Sequence, residues 1–153
     1  MNYDLISETI AFIQTAHEGQ LYGELPYFLH PIKVANNILN ATENEYLAAL
    51  LHDVVEDTDY TVSDIAEGWN TEVADIVALL TKDDSLSYED NISRIIDSGN
   101  VSAMLVKYSD NQINQRSDKS AMKPARAERL NNQYEISSNR LFTALVANKT
   151  ETE

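Results

Sequence analysis

Apolar residues recur at three- and four-residue intervals along almost the whole chain, and this spacing constrains the fold more than any other feature. The first example is Leu5, Ile10 and Ile13, which predict an amphipathic helix over about residues 4–18. Gly19 follows as the expected helix end. No segment alternates apolar and polar residues, and no Asn-Gly or Asp-Gly pair marks a hairpin. The sequence therefore predicts an all-α protein.

The same spacing predicts further helices towards the C-terminus. Pro31 is expected at the first position of the second helix, where its missing N–H costs nothing. Thr42 and Glu45 form a capping-box pattern at the start of the third. The predicted bounds are 31–39, 42–55, 61–68, 71–80, 87–96, 101–113 and 123–147.

A chain of 153 residues is long enough for one domain with its own apolar core. We expect that domain to cover residues 1–147. The polar stretch 110–122 is the expected place for a loop, and residues 148–153 are expected to be a disordered tail.

The chain is strongly acidic, with a formal net charge of −14. Such a surface repels phosphate backbones, so no nucleic-acid partner is expected. Residues 1–110 hold twenty acids and four bases, whereas residues 111–153 hold five acids and seven bases. If the substrate is an anion, either the C-terminal third or a bound metal is the expected source of positive charge.

Cysteine is absent, and no apolar run reaches the roughly 18 residues of a membrane span. The first residues also lack the basic segment of a signal peptide. We therefore expect a cytoplasmic protein without a membrane partner. The four glycines fit neither a dinucleotide-binding turn nor a Walker loop, which excludes those two kinds of nucleotide site.

The most informative segment is His-Asp-Val-Val-Glu-Asp over residues 52–57. On a continuous helix, i and i+4 share a face, which pairs His52 with Glu56 and Asp53 with Asp57. Carboxylates at this spacing repel one another, so something must offset the repulsion. The segment is either a solvated acidic helix end or a divalent-metal site.

Five sequence blocks follow one another along the chain: AHEGQ at 16–20, PYFLHPIKVA at 26–35, AALLHDVVEDT at 48–58, LTK at 80–82, and VKYSD at 106–110 followed by Asn114. In this order they resemble the hydrolase half of the RelA/SpoT alarmone enzymes, within the HD-domain phosphohydrolase superfamily. The resemblance spans about residues 10–114 and implies an HD-domain helical bundle.

The resemblance also implies a metal centre with two imidazole and two carboxylate ligands. A mixed nitrogen and oxygen set suits Mn²⁺ best, with Fe²⁺ or Zn²⁺ as the other candidates. The implied ligands are His30, His52, Asp53 and Asp110.

Glu56 and Asp57 match the catalytic acidic pair of the family, which would orient the attacking water and take its proton. Four further residues are the expected substrate contacts: Asn114, Lys107, Tyr22 and Tyr134. The implied reaction removes the 3′-pyrophosphate of guanosine tetra- or pentaphosphate, written (p)ppGpp, and leaves GDP or GTP. A small-molecule nucleotide is therefore the expected partner, and the oligomeric state is left open.

One departure from the family keeps other functions open. Relatives carry Arg or Lys in the segment that here reads Leu-Tyr-Gly-Glu-Leu over residues 21–25, where Tyr22 would stack on the base instead. One alternative is hydrolysis of another nucleotide, such as the NADPH 2′-phosphate. Another is a non-catalytic acidic protein that presents the same scaffold to a basic partner.

The basic residues after the last block provide a further hypothesis. They either bring positive charge to the substrate's phosphates or pair with acids of the first two thirds. These residues are Arg116, Lys119, Lys123, Arg126 and Arg129.

Overall fold

A computed structural model describes residues 1–152, and helices form nearly all of its regular structure. The all-α class is therefore confirmed. The helices are α1 (Tyr3–Ala16), α2 (Leu29–Asn36), α3 (Glu43–Leu51), α4 (Val54–Asp57), α5 (Val62–Gly68), α6 (Thr71–Leu80), α7 (Tyr88–Asp97), α8 (Val101–Arg116) and α9 (Pro124–Thr152).

Helix α3 lies at the centre of the bundle and packs against α1, α2, α6 and α8. Its residues 47–51, Leu-Ala-Ala-Leu-Leu, are completely buried, as expected for a helix that is apolar on every side. The predicted capping box fixes its start, because the Thr42 hydroxyl accepts from the Glu45 N–H and the Glu45 carboxylate accepts from the Thr42 N–H. The buried α3 thus holds the segment that follows it in a defined position.

The continuous helix predicted over 42–55 is wrong at one point. Helix α3 ends at Leu51, and His52 and Asp53 form a turn before the short helix α4. The Asp53 backbone, at φ −104° and ψ 0°, departs from helical geometry. The sequence pattern missed this break because it contains neither glycine nor proline.

The segment before α2 also differs from the prediction. Leu21–Tyr22 and Leu25–Pro26 are two short strands, of two residues each, that pair as an antiparallel hairpin. Gly23 at its tip has φ +64°, a conformation that glycine adopts without strain. Helix α2 begins at Leu29, so Pro31 is its third residue and still lies in the first turn, where no intrahelical N–H bond is lost.

The C-terminal third is more helical than predicted. Helix α8 extends through the first half of the polar stretch to Arg116, and the loop occupies only residues 117–123. The expected tail continues α9 through Thr152, since residues 148–152 contain no helix breaker, and residue 153 lies outside the described part of the chain. Across residues 1–152, no helix is both long and apolar enough to cross a membrane.

Trp69 joins the N-terminal helix to α5 and α6. Its indole N–H donates to the buried Thr9 hydroxyl at 2.8 Å, and its ring packs edge-on against Phe12 at 5.0 Å. Thr9 in turn donates to the Leu5 carbonyl. The indole therefore has a polar partner inside the bundle.

We predict that Thr9→Val lowers the free energy of unfolding by about 1–3 kcal/mol, because the Trp69 N–H loses its acceptor. Urea denaturation should show a lower midpoint with an unchanged slope. Thr15→Val is the matched control, since Thr15 is exposed on the same helix and bonds only the Ala11 carbonyl. Equal destabilisation by both variants would contradict a specific role for the Trp69–Thr9 bond.

Candidate metal centre

Two imidazoles and two carboxylates from different elements meet beside the core. His30 comes from α2, His52 and Asp53 from the turn after α3, and Asp110 from α8. Ligand atoms of His30, His52 and Asp53 lie within 4.8 Å of one another. Asp110 completes the group, with its Oδ1 at 2.9 Å from His30 Nε2 and 3.6 Å from His52 Nε2. The structure thus brings together all four ligands expected from the sequence.

The backbone of α3 fixes the orientation of the His52 ring. Its Nδ1–H donates to the Ala49 carbonyl at 2.7 Å, which turns Nε2 towards the carboxylates. Burial alone would lower the pKa of His52, but Asp53 and Asp110 raise it well above its usual value. The arrangement therefore favours a positive charge at Nε2.

Asp110 is the most heavily supported carboxylate of the cluster. Lys107 Nζ lies 3.1 Å from its Oδ2, and the Asn114 side-chain amide donates to its Oδ1 at 3.1 Å. Burial would raise the pKa of Asp110, but Lys107 and the two histidines hold it well below the usual range. Two residues expected to contact substrate therefore also contact this ligand.

Asp53 has a partner that the sequence interpretation did not single out. The Tyr27 hydroxyl donates to Asp53 Oδ2, and burial together with the Asp53 charge raises the pKa of Tyr27. The Tyr27 ring also packs against His17 and His30. Tyr27 belongs to the second sequence block, so that block was the available signal for it.

These residues fit a divalent cation. His52 Nε2 is buried and, within the described residues, makes no hydrogen bond of acceptable geometry, although Asp53 Oδ2 lies 2.9 Å away. A cation bound by the four side chains would give this nitrogen a partner and offset the repulsion between Asp53 and Asp110. The donor set therefore supports a divalent-metal site, as expected for the family.

The predicted catalytic pair lies beside the cluster on α4. Both side chains are partly accessible to solvent and partly covered by the protein. Partial burial and the Asp53 charge raise the pKa of Glu56, and the same two causes raise the pKa of Asp57 against an opposing effect of His17. Glu56 lines a cleft next to the cluster, whereas the Asp57 carbonyl accepts from Gln20 on the side of α1.

His17 and Gln20 lie beside the predicted catalytic pair, and neither was among the residues expected to act at the site; His17, at the C-cap of α1, was expected to be structural. Gln20 Oε1 lies 2.8 Å from His17 Nδ1, and its amide donates to the Asp57 carbonyl at 3.0 Å. The pair thus connects the end of α1 to the end of α4. Both residues lie in the first sequence block, which is the only signal that could have identified them.

Two clefts flank the cluster. The α7 cleft adjoins His52, Asp53, Glu56 and Asp110, and part of its wall comes from α7. The hairpin cleft is formed by the β-hairpin, α2 and the end of α8, and His30 is the cluster residue that it adjoins. A ligand larger than a phosphate group can therefore extend away from the cluster in two directions.

The two aromatic candidates have different positions. Tyr22 stacks on His30 with 4.4 Å between ring centroids and 10° between planes, and its hydroxyl donates to Asn114 at 2.6 Å. One face of its ring is therefore covered, so a nucleobase can stack only on the other. Tyr134 is half-buried on α9, where burial, followed by the charge of Asp110, raises its pKa.

Two of the five basic residues after Asp110 have clearly different positions. Arg116 lines the hairpin cleft and donates to Asn37 at 3.4 Å. Lys119 instead donates to carbonyls at the end of α8, including that of Asn114 at 2.6 Å, as a helix C-cap. Among the described side chains, none of the five forms an ion pair with an acid, so the proposed pairing with the first two thirds is not seen.

Comparison with protein families gives a match over most of the chain. A family model described as "HD domain" matches residues 9–149. A guanosine-3′,5′-bis(diphosphate) 3′-pyrophosphohydrolase of Haemophilus influenzae is 46% identical over 77 residues, which are 48% of this chain and 11% of that protein. A probable enzyme of the same name from Mycoplasma genitalium is 32% identical over 133 residues, which are 84% of this chain and 18% of that protein. The chain thus spans less than a fifth of these two relatives.

Two solved structures have the same fold. A metazoan ortholog of SpoT, described as hydrolysing ppGpp, aligns with a TM-score of 0.74 at 23% identity, covering 97% of this chain and 95% of its own. A Listeria monocytogenes protein aligns with a TM-score of 0.59 at 30% identity, covering 78% of this chain and 83% of its own. The helical arrangement is therefore shared with proteins of similar size.

We predict that Mn²⁺ raises the melting temperature of the wild-type protein and that Asp53→Ala abolishes this rise. Metal at about 100 times its dissociation constant should add roughly 2.7 kcal/mol of stability. Asp57→Asn is the matched control, because this neighbouring carboxylate lies outside the ligand cluster. Differential scanning calorimetry with and without Mn²⁺ measures the shift, and a full shift in Asp53→Ala would contradict the assignment.

We also predict that Tyr27→Phe weakens Mn²⁺ binding about 10- to 100-fold, because Asp53 loses the hydroxyl that orients it. Isothermal titration calorimetry measures the affinity. Tyr60→Phe serves as control, since Tyr60 is exposed and its ring packs against Phe12. An unchanged affinity in Tyr27→Phe would mean that the hydroxyl does not support the ligand.

Proposed function

The chain belongs to the HD-domain family, and we propose that it is a metal-dependent 3′-pyrophosphohydrolase of (p)ppGpp. The observation that carries this proposal is the convergence of His30, His52, Asp53 and Asp110 beside the Glu56 carboxylate. The names of the bacterial relatives support the choice of substrate.

The proposed ligands are the two histidines and two aspartates of the cluster. When bound, a divalent ion would supply a more acidic water molecule and polarise a phosphoryl oxygen. Mn²⁺ is the proposed ion, with Fe²⁺ and Zn²⁺ as the other candidates, because two nitrogen and two oxygen donors suit these ions better than Mg²⁺ or Ca²⁺.

Glu56 is the proposed general base. Its carboxylate accepts a proton from the attacking water, whose oxygen forms a bond to the phosphorus next to the ribose 3′-oxygen. The bond between that phosphorus and the 3′-oxygen breaks, and the 3′-oxygen takes up a proton as GDP or GTP leaves. Asp57 assists by holding the water or by passing the proton on, and the raised pKa of both carboxyls suits groups that must accept and release it.

The remaining candidates would orient the substrate. Asn114 and Tyr22 are hydrogen-bonded to each other at the edge of the hairpin cleft, which makes them the proposed contacts to the nucleoside. Lys107 would neutralise a phosphate oxygen while it holds Asp110. Tyr134 is the proposed contact from α9.

One observation keeps a second substrate under consideration. The family resemblance implies a basic residue in the segment that forms the hairpin, but here the hairpin contains Glu24 and neither Lys nor Arg. Hydrolysis of another nucleotide, such as the 2′-phosphate of NADPH, is therefore the alternative. A purely structural role is disfavoured, because a scaffold does not require four metal-type donors and an adjacent base in one place.

The function is tested by incubating the Mn²⁺-loaded protein with ppGpp and separately with NADPH. We predict release of pyrophosphate and GDP from ppGpp, measured by anion-exchange chromatography. If phosphate is released from NADPH and ppGpp is not cleaved, the protein is a hydrolase with a different substrate. No reaction with either nucleotide, in a preparation shown to bind Mn²⁺, would contradict the proposed function.

Glu56→Gln should lower kcat by about 10²- to 10⁴-fold, because the variant keeps the shape of the side chain but cannot accept a proton. Mn²⁺ affinity and KM should stay close to their wild-type values. Glu67→Gln makes the same change at an exposed position on α5 and should leave kcat unaltered. A Glu56→Gln variant with wild-type kcat would remove Glu56 from the mechanism.

A further inference from the structure

The few basic residues of the acidic part of the chain are concentrated beside the metal ligands. Residues 1–110 contain twenty acids and only four bases. Lys82, Arg94 and Lys107 line the α7 cleft, and Lys33 lines the hairpin cleft. Every base of this part of the sequence therefore adjoins one of the two clefts that flank the cluster.

The three bases of the α7 cleft are held by different elements. Lys107, on α8, lies 3.1 Å from Asp110 and 6.0 Å from the centre of the Tyr88 ring. Lys82 follows the end of α6, and its ammonium group makes a long contact of 3.8 Å with the exposed Asp84. Lys82 is thus free to turn towards a ligand with stronger charge.

Arg94 has an unused donor. Its Nη2 donates to the Leu79 and Thr81 carbonyls at 3.2 and 2.6 Å, which fixes the guanidinium at the end of α6. Its Nε is buried and has no hydrogen-bond partner among the described residues. An unpaired buried donor is costly, and the guanidinium fork suits phosphate oxygens. Because Arg94 also lines the α7 cleft, its guanidinium charge adjoins that cleft as well as the end of α6.

Apolar side chains complete the cleft and strengthen its charges. Leu79, Leu80, Ile92 and Ile95 form part of its lining. They exclude water from one side of the basic groups, which lowers the local dielectric and favours binding of a compact, multiply charged anion.

We propose that the α7 cleft is a binding site for the terminal phosphate of the 3′-diphosphate and for the pyrophosphate product, with Lys82 and Arg94 as its binding residues. The choice of ligand rests on the proposed function. If the reacting phosphorus lies at the cluster next to Glu56, the phosphate attached to it must extend into an adjoining cleft. The α7 cleft adjoins Asp53, Glu56 and Asp110. The hairpin cleft adjoins none of these three and contacts the cluster only at His30.

Equilibrium dialysis with labelled inorganic pyrophosphate, at the same free Mn²⁺ concentration on both sides, tests the proposal on the Mn²⁺-loaded protein. Lys82→Met and Arg94→Met should each raise the dissociation constant roughly tenfold, as expected for loss of one charged contact. Lys123→Met removes the same charge from an exposed position outside both clefts and should leave the constant within twofold.

The outcomes separate this proposal from its alternatives. If wild-type protein binds no pyrophosphate, or if Lys123→Met weakens binding as much as Lys82→Met, the cleft is not the site. If Arg94→Met is too unstable to measure, Lys82→Met alone decides, and an unchanged constant in it overturns the proposal. If pyrophosphate binding depends on Lys82 but the protein does not hydrolyse ppGpp, the anion site is supported and the proposed function is rejected.

Discussion

The convergence of Asp53 and Asp110 on two buried histidines is the interaction on which the rest of the structure depends. Two carboxylates removed from water repel each other, and burial opposes the charge on each. The surrounding groups offset both effects: Tyr27 donates to Asp53, while Lys107 and Asn114 donate to Asp110. Several helices are thus tied to one small cluster, and a divalent cation is the most effective way to complete its charge balance.

The sequence predicted the helical class, the caps of α3 and α5, and the bounds of α6, because periodic apolar spacing and Thr-x-x-Glu or Thr-x-x-Asp patterns act locally. It did not predict the break at Asp53, whose side chain accepts a hydrogen bond from Tyr27, a residue distant in the chain. The hairpin was missed for a similar reason, since only four residues pair and no alternation can show over so short a length.

The four metal-type residues could be named because the sequence blocks appear in a recognisable order. The residues that hydrogen-bond to these side chains and to the predicted catalytic pair could not be identified in the same way. Such bonds, for example from Gln20 to Asp57, join residues far apart in the chain. The charge gradient was a misleading guide in one respect. It pointed to the C-terminal third, yet Arg116 is the one residue of the five basic candidates there that lines either cleft, and Lys119 caps α8. The four bases of residues 1–110 all line the clefts.

Binding of one divalent ion by His30, His52, Asp53 and Asp110 is the central hypothesis for this protein. A crystal structure of the protein grown with Mn²⁺, with diffraction data collected above the manganese absorption edge, tests it most directly. We predict one strong anomalous peak in contact with His52 Nε2 and with oxygens of both aspartates. The hypothesis would be contradicted if no anomalous peak lay at this position, if manganese bound elsewhere in the crystal, and if His52 still faced Asp53 directly.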